Sequence, residues 1–328
     1  MMEKLKVDVI IPTYKPGEKF YNLIQTLKRQ SYPVDRIIVV NTEKKWFPSY
    51  FYEGNQDIEV HHIRKEDFDH GGTRDRAASL CDGDILLFMT QDAVPNDIYL
   101  VEELIKPFRR QEVAAAYARQ LPAEGCNLIE RYTRSFNYGP MSRRKKKSDL
   151  AKLGIKTYFC SNVCAAYRKD IYDEQGGFEH RTIFNEDMIF AGKLIQAGYT
   201  IAYVAEAKVI HSHNYTNREL FQRNFDLAVS QADHPEIFKG IKSESEGVRL
   251  VTQTAQYLCH MHKPWLIPDL IIKSAYKYMG YRKGKKYKKL SRKKILKYTM
   301  NPAYWEKQKC CLFRFFSTFS HKMNTNAK

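Results

Sequence analysis

The sequence predicts an α/β protein with a mostly parallel sheet, helices on both of its faces and a basic helical extension at the C-terminal end. Three observations carry this. Apolar runs of strand length alternate with segments of helical spacing through the first 120 residues. The runs are continuously apolar, which suits strands buried on both faces. The charge is also unevenly divided. Residues Lys263 to Lys328 hold 18 Lys and Arg against two acids, Asp269 and Glu306, so the tail carries nearly all of the net charge of +17.

The elements follow in order. Val7 to Thr13 (VDVIIPT) is the first strand, and Glu18 to Gln30 is helical through Phe20, Leu23, Ile24 and Leu27. Arg36 to Thr42 and Ile58 to Ile63 are the next strands, Thr73 to Cys81 is a helix, and Asp84 to Thr90 (DILLFMT) is a fourth strand. Asn96 or Asp97 caps a helix over Ile98 to Phe108, and Val113 to Arg119 returns as a strand. Ser142 to Lys147 (SRRKKK) reads as an exposed loop, and Tyr158 to Tyr167 as a strand. Glu186 to Ala197 is a helix stopped by Gly198, Thr200 to His211 a strand, and Arg218 to Ser230 a helix. This organisation divides the chain into a main domain over residues 1–230, with parts at about 1–120 and 121–230, and a helical basic region over 231–328.

The 328 residues suffice for one large domain with an appendage. Hydrophobic residues at 43% and charged residues at 28% are ordinary for a globular chain. The first residues, MMEKLKVDVIIPTY, read as a strand and not as a secretory signal. No run reaches the roughly 18 to 20 apolar residues of a membrane span. A cytoplasmic location is expected, and the seven cysteines, none with zinc-site spacing, are expected to be reduced.

In parallel sheets ligands bind beyond the carboxyl ends of the strands. That rule points to Thr13-Tyr14, Asn41-Thr42, the 64–74 segment and Gln91-Asp92. Asp92 follows a buried strand, where a carboxylate can hold Mg²⁺ or Mn²⁺ while the ion's other positions take phosphate oxygens; a plain turn acid before Pro95 is the alternative. Glu186 and Asp187 open a helix, as helix-dipole partners or as a general base. His211 and His213 lie two apart at a strand end and can face one site, where imidazole suits a Mn²⁺-type centre. His70-Gly71-Gly72-Thr73-Arg74 leads into a helix, and two glycines with an Arg suit a phosphate.

Taken in order, VIIPTY, IIVVNT, FDHGGTRDRAA, LLFMTQDAVP, NEDMIFAGKLIQAGY and AKVIHSHNYT resemble the family 2 glycosyltransferases of GT-A fold, and among them the bacterial rhamnosyltransferases. The resemblance spans residues 5 to 230. It implies an inverting transferase that moves a sugar, L-rhamnose from dTDP-L-rhamnose, to a hydroxyl of a glycan or lipid-linked acceptor. Pro12, Thr13, Tyr14 and Asn41 would lie beside the nucleotide, with Asp69, Gly71, Gly72 and Gln91 nearby. Arg74 would face the diphosphate or ribose. Asp92 would bind a divalent cation with His211, and His213 as the second choice. Asp187 would be the base and Glu186 its neighbour in the acceptor site. Asp75 stands where Asn is expected after the Arg, and two further departures stand out. Asn41 occupies a position where many members have Asp, and the Asp-any-Asp metal motif is reduced to Thr90-Gln91-Asp92. Asn41 leaves a UDP-hexose donor open, and the reduced motif leaves a non-catalytic glycan-binding or scaffold role open.

The tail has Leu266, Ile267, Leu270, Ile271, Ala275, Tyr278 and Met279 at helical spacing, followed by GYRKGKKYKKLSRKKILKY and CCLFRFFSTF. A basic amphipathic helix binds anionic membrane surfaces, with each Lys or Arg near the surface contributing about 1 kcal/mol. Peripheral attachment at the inner face of the plasma membrane is expected, against a helix packed on the main domain or on a second copy. Nucleic acid is not expected, because the main body lacks the basic excess.

Overall fold

The computed structural model describes residues 4–241 and 244–306. Nine strands form one sheet: β1 (Val7–Tyr14), β2 (Arg36–Thr42), β3 (Ile58–Ile63), β4 (Ile85–Met89), β5 (Val94–Pro95), β6 (Val113–Leu121), β7 (Arg143–Lys145), β8 (Cys164–Arg168) and β9 (Thr200–Ile210). The spatial order is β3-β2-β1-β4-β8-β6-β9-β5, with β7 also on β9. Around the sheet, α1 (Glu18–Leu27), α2 (His70–Ala78), α3 (Leu100–Ile105), α4 (Leu128–Asn137), α5 (Leu150–Leu153) and α6 (Lys169–Glu174) come first. They are followed by α7 (Glu186–Gln196), α8 (Asn217–Asp233), α9 (Pro235–Phe238), α10 (Glu244–His260), α11 (Ile267–Gly284) and α12 (Arg292–Tyr298).

The first half of the sheet is parallel, as its unbroken apolar strands predict: β1 pairs in parallel with β2 and β4, and β2 with β3. β8 then runs antiparallel between β4 and β6, while β6 and β9 are parallel. The sheet is therefore mixed beyond β4. Neighbouring residues of one strand feed opposite cores. Val9 and Ile11 pack with Phe20, Leu23 and Ile24 on one face, and Ile10 packs with Phe88, Tyr167 and Phe190 on the other. Both faces are thus covered, which explains why the strands read as solid apolar runs.

Four sequence expectations shift. The second helix begins at His70, three residues before the apolar pattern suggests, because Asp69 caps it: its Oδ1 accepts the Gly72 N–H at 2.6 Å. The SRRKKK run contains β7, paired with β9, and its Lys145 is buried while Arg143 and Arg144 stay exposed. Lys145 Nζ donates to the Lys156 and Phe159 carbonyls and lies 4.7 Å from the Tyr117 ring; these contacts hold the buried amine, whose pKa burial lowers to about 7. The Tyr158–Tyr167 run splits into a 3₁₀ turn, Gly154–Tyr158, a loop and β8. The boundary at residue 230 falls inside α8, which continues to Asp233.

The tail packs on the main body through α8. On α11 the apolar stripe expected to meet a membrane surface is divided between the seam and solvent. Leu270, Gly280 and Gly284 are buried, whereas Ile271, Tyr278 and Met279 are exposed. The glycines set the seam, because a Cβ at Gly280 would lie 2.2 Å from the Phe221 carbonyl oxygen and one at Gly284 2.3 Å from that of Phe225. Further on, Thr299 Oγ1 and the Met300 N–H donate to the Asp226 carboxylate at 2.7 and 2.8 Å. Trp305 joins Ile183, Phe225 and Val229 in a small core. The CCLFRFFSTF segment lies outside the described residues.

Candidate active site

β1, β2 and β4 end together, and their ends carry the first group of predicted residues. Thr13 and Asn41 are adjacent in register and buried, with Thr13 Oγ1 donating to Asn41 Oδ1 at 3.2 Å. The Asn41 amide also reaches the Glu43 carbonyl at 3.2 Å and His62 Nδ1 at 3.1 Å. Asn41 is therefore held by internal bonds, and its side chain ties the strand ends together. Pro12 lies just past the last β1–β4 pairing. Gln91 clips the end of β1: its Oε1 accepts the Tyr14 N–H at 3.0 Å and its Nε2 donates to the Tyr14 carbonyl at 3.1 Å. The Tyr14 ring is left exposed, and Lys15 sits between it and Trp46, 4.4 Å from the Trp46 ring. Sequence reading missed Trp46 and Lys15, which lack any motif spacing.

The DHGGTR segment is also tied into the fold by its own contacts. Asp69 is spent as the cap of α2. Gly71 is required because a Cβ there would lie 1.9 Å from the Glu179 carbonyl oxygen, so it permits close packing of the two chain segments. Gly72 supplies the N–H that Asp69 accepts, and a Cβ would crowd the same carboxylate at 3.1 Å. Arg74 turns inward. It is buried, donates to the His70 carbonyl at 2.9 Å and pairs with Glu186 at 3.2 Å.

The second group is a cluster of possible metal ligands. β5 pairs with β9 through Val94 and Ile210, and this brings the turn after β4 against the end of β9. His211 is fixed by its N–H donating to the Leu121 carbonyl at 2.9 Å. One ligand atom each from Asp92, His211 and His213 lies within 4.8 Å of the others. Asp92 Oδ2 is 3.5 Å from His211 Nε2 and 3.2 Å from His213 Nε2. Burial raises the Asp92 carboxyl, but the hydrogen bond to His213 and the two imidazoles beside it outweigh this and hold the group well below the usual carboxylate range. Burial lowers His211 to about 3 despite Asp92, so its imidazole is neutral. One carboxylate and two imidazoles are a donor set suited to a divalent ion of Mn²⁺ type. His213 points into the cluster as directly as His211.

The third group is the head of α7. Asn185 adopts a left-handed conformation (φ 65°), which turns the chain sharply into Glu186 and Asp187; Asn tolerates this region better than most side chains. The two acids diverge. Glu186 is buried against Arg74; burial raises it, but Arg74 and His70 lower it further, so it remains ionised. Asp187 is only part-buried. Its Oδ2 accepts the Asn162 N–H at 3.0 Å and its Oδ1 the Met188 N–H at 2.7 Å. Burial first, and then the negative charge of Glu186, push Asp187 above the usual carboxylate range. Asn162 joins the pair, since its Nδ2 donates to Glu186 at 3.4 Å while Tyr167 donates to its Oδ1 at 2.9 Å. Asn162 and Gln120, described below, were not foreseen, because a buried amide in a strand or loop carries no spacing signal.

Comparison with known proteins gives the family and the fold. The sequence profile described as "Glycosyl transferase family 2" matches residues 8–176. The chain is 39% identical over 303 residues to the O-antigen chain rhamnosyltransferase RfbN of Salmonella typhimurium, covering 92% of this chain and 96% of that protein. It is 37% identical to the O-antigen chain rhamnosyltransferase WbaN of Salmonella anatum, covering 90% and 95%. Among solved structures, the mannosyltransferase PcManGT of Pyrobaculum calidifontis, in complex with GDP-Man and Mn²⁺, superposes with a TM-score of 0.58 at 15% identity, covering 88% of this chain and 89% of that one.

Proposed function

The chain belongs to glycosyl transferase family 2 and has its GT-A fold, and from that premise we propose that it moves L-rhamnose from dTDP-L-rhamnose to a hydroxyl of a lipid-linked polysaccharide precursor, with inversion at the anomeric carbon. The observation that carries the reading is the pairing of two differently tuned acids at the head of α7 with the Asp92–His211–His213 cluster at the same end of the sheet. Both relatives are rhamnosyltransferases of O-antigen chains, which supports the donor sugar and the acceptor class.

In this reading Asp187 takes the proton of the acceptor hydroxyl as that oxygen attacks the anomeric carbon. Its raised basicity and partial exposure suit the task, and general-base catalysis is typically worth ~10²–10⁴ in rate. Glu186 stays ionised and paired with Arg74, so it cannot compete for the proton but keeps its neighbour basic. A divalent cation held by Asp92, His211 and His213 would offset the charge that develops on the departing nucleoside diphosphate. Residues 1–120 hold the donor, with Tyr14 and Trp46 as exposed rings beside the nucleotide, and residues 121–230 shape the acceptor side.

The basic tail supports attachment to the inner face of the plasma membrane. No described helix is long and apolar enough to cross a membrane. The exposed side of α11 and the turn before it carries Trp265, Ile271, Ile272 and Met279 beside Lys263 and Arg282, a mixture suited to an anionic interface.

The test is transfer and donor hydrolysis over a panel of sugar nucleotides, with and without EDTA. dTDP-L-rhamnose is expected to be used best, with activity lost in chelator and restored by Mn²⁺ or Mg²⁺. Preference for a UDP-hexose would overturn the donor assignment, and full activity in chelator would overturn the role given to Asp92.

A further inference from the structure

Gln120, near the end of β6, is buried behind the metal-ligand cluster, and every bond its amide can make is filled. Its Oε1 accepts from Arg134 Nη1 and contacts His211 Nδ1 at 3.0 Å. Its Nε2 donates to the Tyr138 hydroxyl at 2.5 Å and to Ser161 Oγ at 3.1 Å. A primary amide offers two donors and two acceptor lone pairs, so nothing is left over.

The orientation of this amide follows from its partners. Arg134 has only donors, so the atom facing it must be the amide oxygen. The same oxygen faces His211 Nδ1, so that nitrogen must donate. A neutral imidazole carries one proton; if it is on Nδ1, then Nε2 holds a free lone pair. Nε2 is the atom that lies 3.5 Å from Asp92 Oδ2 and 3.1 Å from His213 Nε2. Arg134 is itself held by Glu130, at 2.7 Å, one turn earlier on α4.

We infer that Gln120, braced by Arg134, is a positioning residue that locks His211 as its Nδ1–H tautomer and so presents the Nε2 lone pair to the cation site. The inference rests on the metal reading given above, but the lock exists without the metal. It also has a second arm. The Ser161 that Gln120 holds directly precedes Asn162, whose N–H binds Asp187. One amide therefore sets both the ligand face of His211 and the loop against the base.

The experiment uses the full chain labelled with ¹⁵N-histidine. Spectra of the metal-free protein report the tautomer of each imidazole, and His211→Ala assigns the signal. The wild type is expected to show His211 protonated on Nδ1, with unprotonated Nε2. Gln120→Leu is expected to lose that bias and to bind Mn²⁺ about 10–100-fold more weakly in titration calorimetry, the usual effect of removing the partner that orients a ligand. Gln120→Glu retains an acceptor for Arg134 and His211, so it should keep both the tautomer and the affinity, which a variant that merely loosens the core would not. A wild-type spectrum with the proton on Nε2 overturns the inference, as does a Leu variant with wild-type tautomer. Failure of the wild type to bind Mn²⁺ would remove the metal reading alone, and the tautomer spectrum would still decide the role of Gln120.

Discussion

At the head of α7, adjacent carboxylates are given opposite characters by a single neighbour. Arg74 reaches Glu186 and holds it ionised, and that charge, added to burial, makes Asp187 the more basic of the two. Asp187→Asn should lower kcat by about 10²–10⁴ while leaving donor affinity unchanged, measured by transfer kinetics and donor titration. The pH dependence has a definite sign. Asp187 must be ionised to accept a proton, so kcat should hold above its raised pKa and fall as pH drops through it. In Arg74→Met the Glu186 charge loses its partner and its pKa rises, so the acid limb of the profile should change shape; an unchanged limb would separate it from these acids. The residues that sequence could show are those at strand and helix ends, Asp92, Glu186, Asp187, His211 and His213, because termini expose side chains to a cleft. The partner of Arg74 was not legible. Gly-Gly-Thr-Arg reads as a phosphate loop, and nothing local in the chain says that a guanidinium on α2 meets an acid on α7.

At the scale of elements, the readable part was the period. Runs rich in apolar and β-branched residues placed β1 to β4 and β9 to within a residue or two. β7 was hidden, since three basic residues in a row suggest solvent, and only the carbonyls around Lys145 make one of them a buried residue. The start of α2 was also hidden: Gly71 and Gly72 look like loop residues, yet they form its first turn. Gly71 makes a prediction for this element. Gly71→Ala drives a methyl against the Glu179 carbonyl at 1.9 Å, so the α2 start or the 179 segment must shift. Overpacking of this kind costs about 1–3 kcal/mol, to be read as a drop in the urea midpoint. Gly125→Ala, with nothing within 4 Å of the added atom, is the control and should leave the midpoint within error.

For the whole molecule, the division of charge was plain in composition, but the way the tail sits was not. Helical spacing in α11 showed one apolar stripe and gave no sign of the seam at Gly280 and Gly284. The structure buries that seam and leaves Trp265, Ile271, Ile272 and Met279 outward. If that outer stripe meets an anionic bilayer, Trp265→Ala with Ile272→Ser should reduce flotation with anionic vesicles several-fold while transfer to a soluble acceptor is retained. Equal flotation of the variant and the wild type would remove the stripe from membrane binding.

The close passage of α11 over α8 has a further consequence. At Gly280 and Gly284 the two backbones approach so nearly that no side chain fits between them. Helix α8 in turn donates from Ser230 Oγ to the Phe184 carbonyl, immediately before the turn that carries the two acids. Such a tail is poor material for shuffling. A chimera that takes α11 from a relative without its matching α8 inherits a lock without its key. Productive recombination among these transferases should therefore cross over ahead of residue 217, with α8 and the tail exchanged as one inheritable piece.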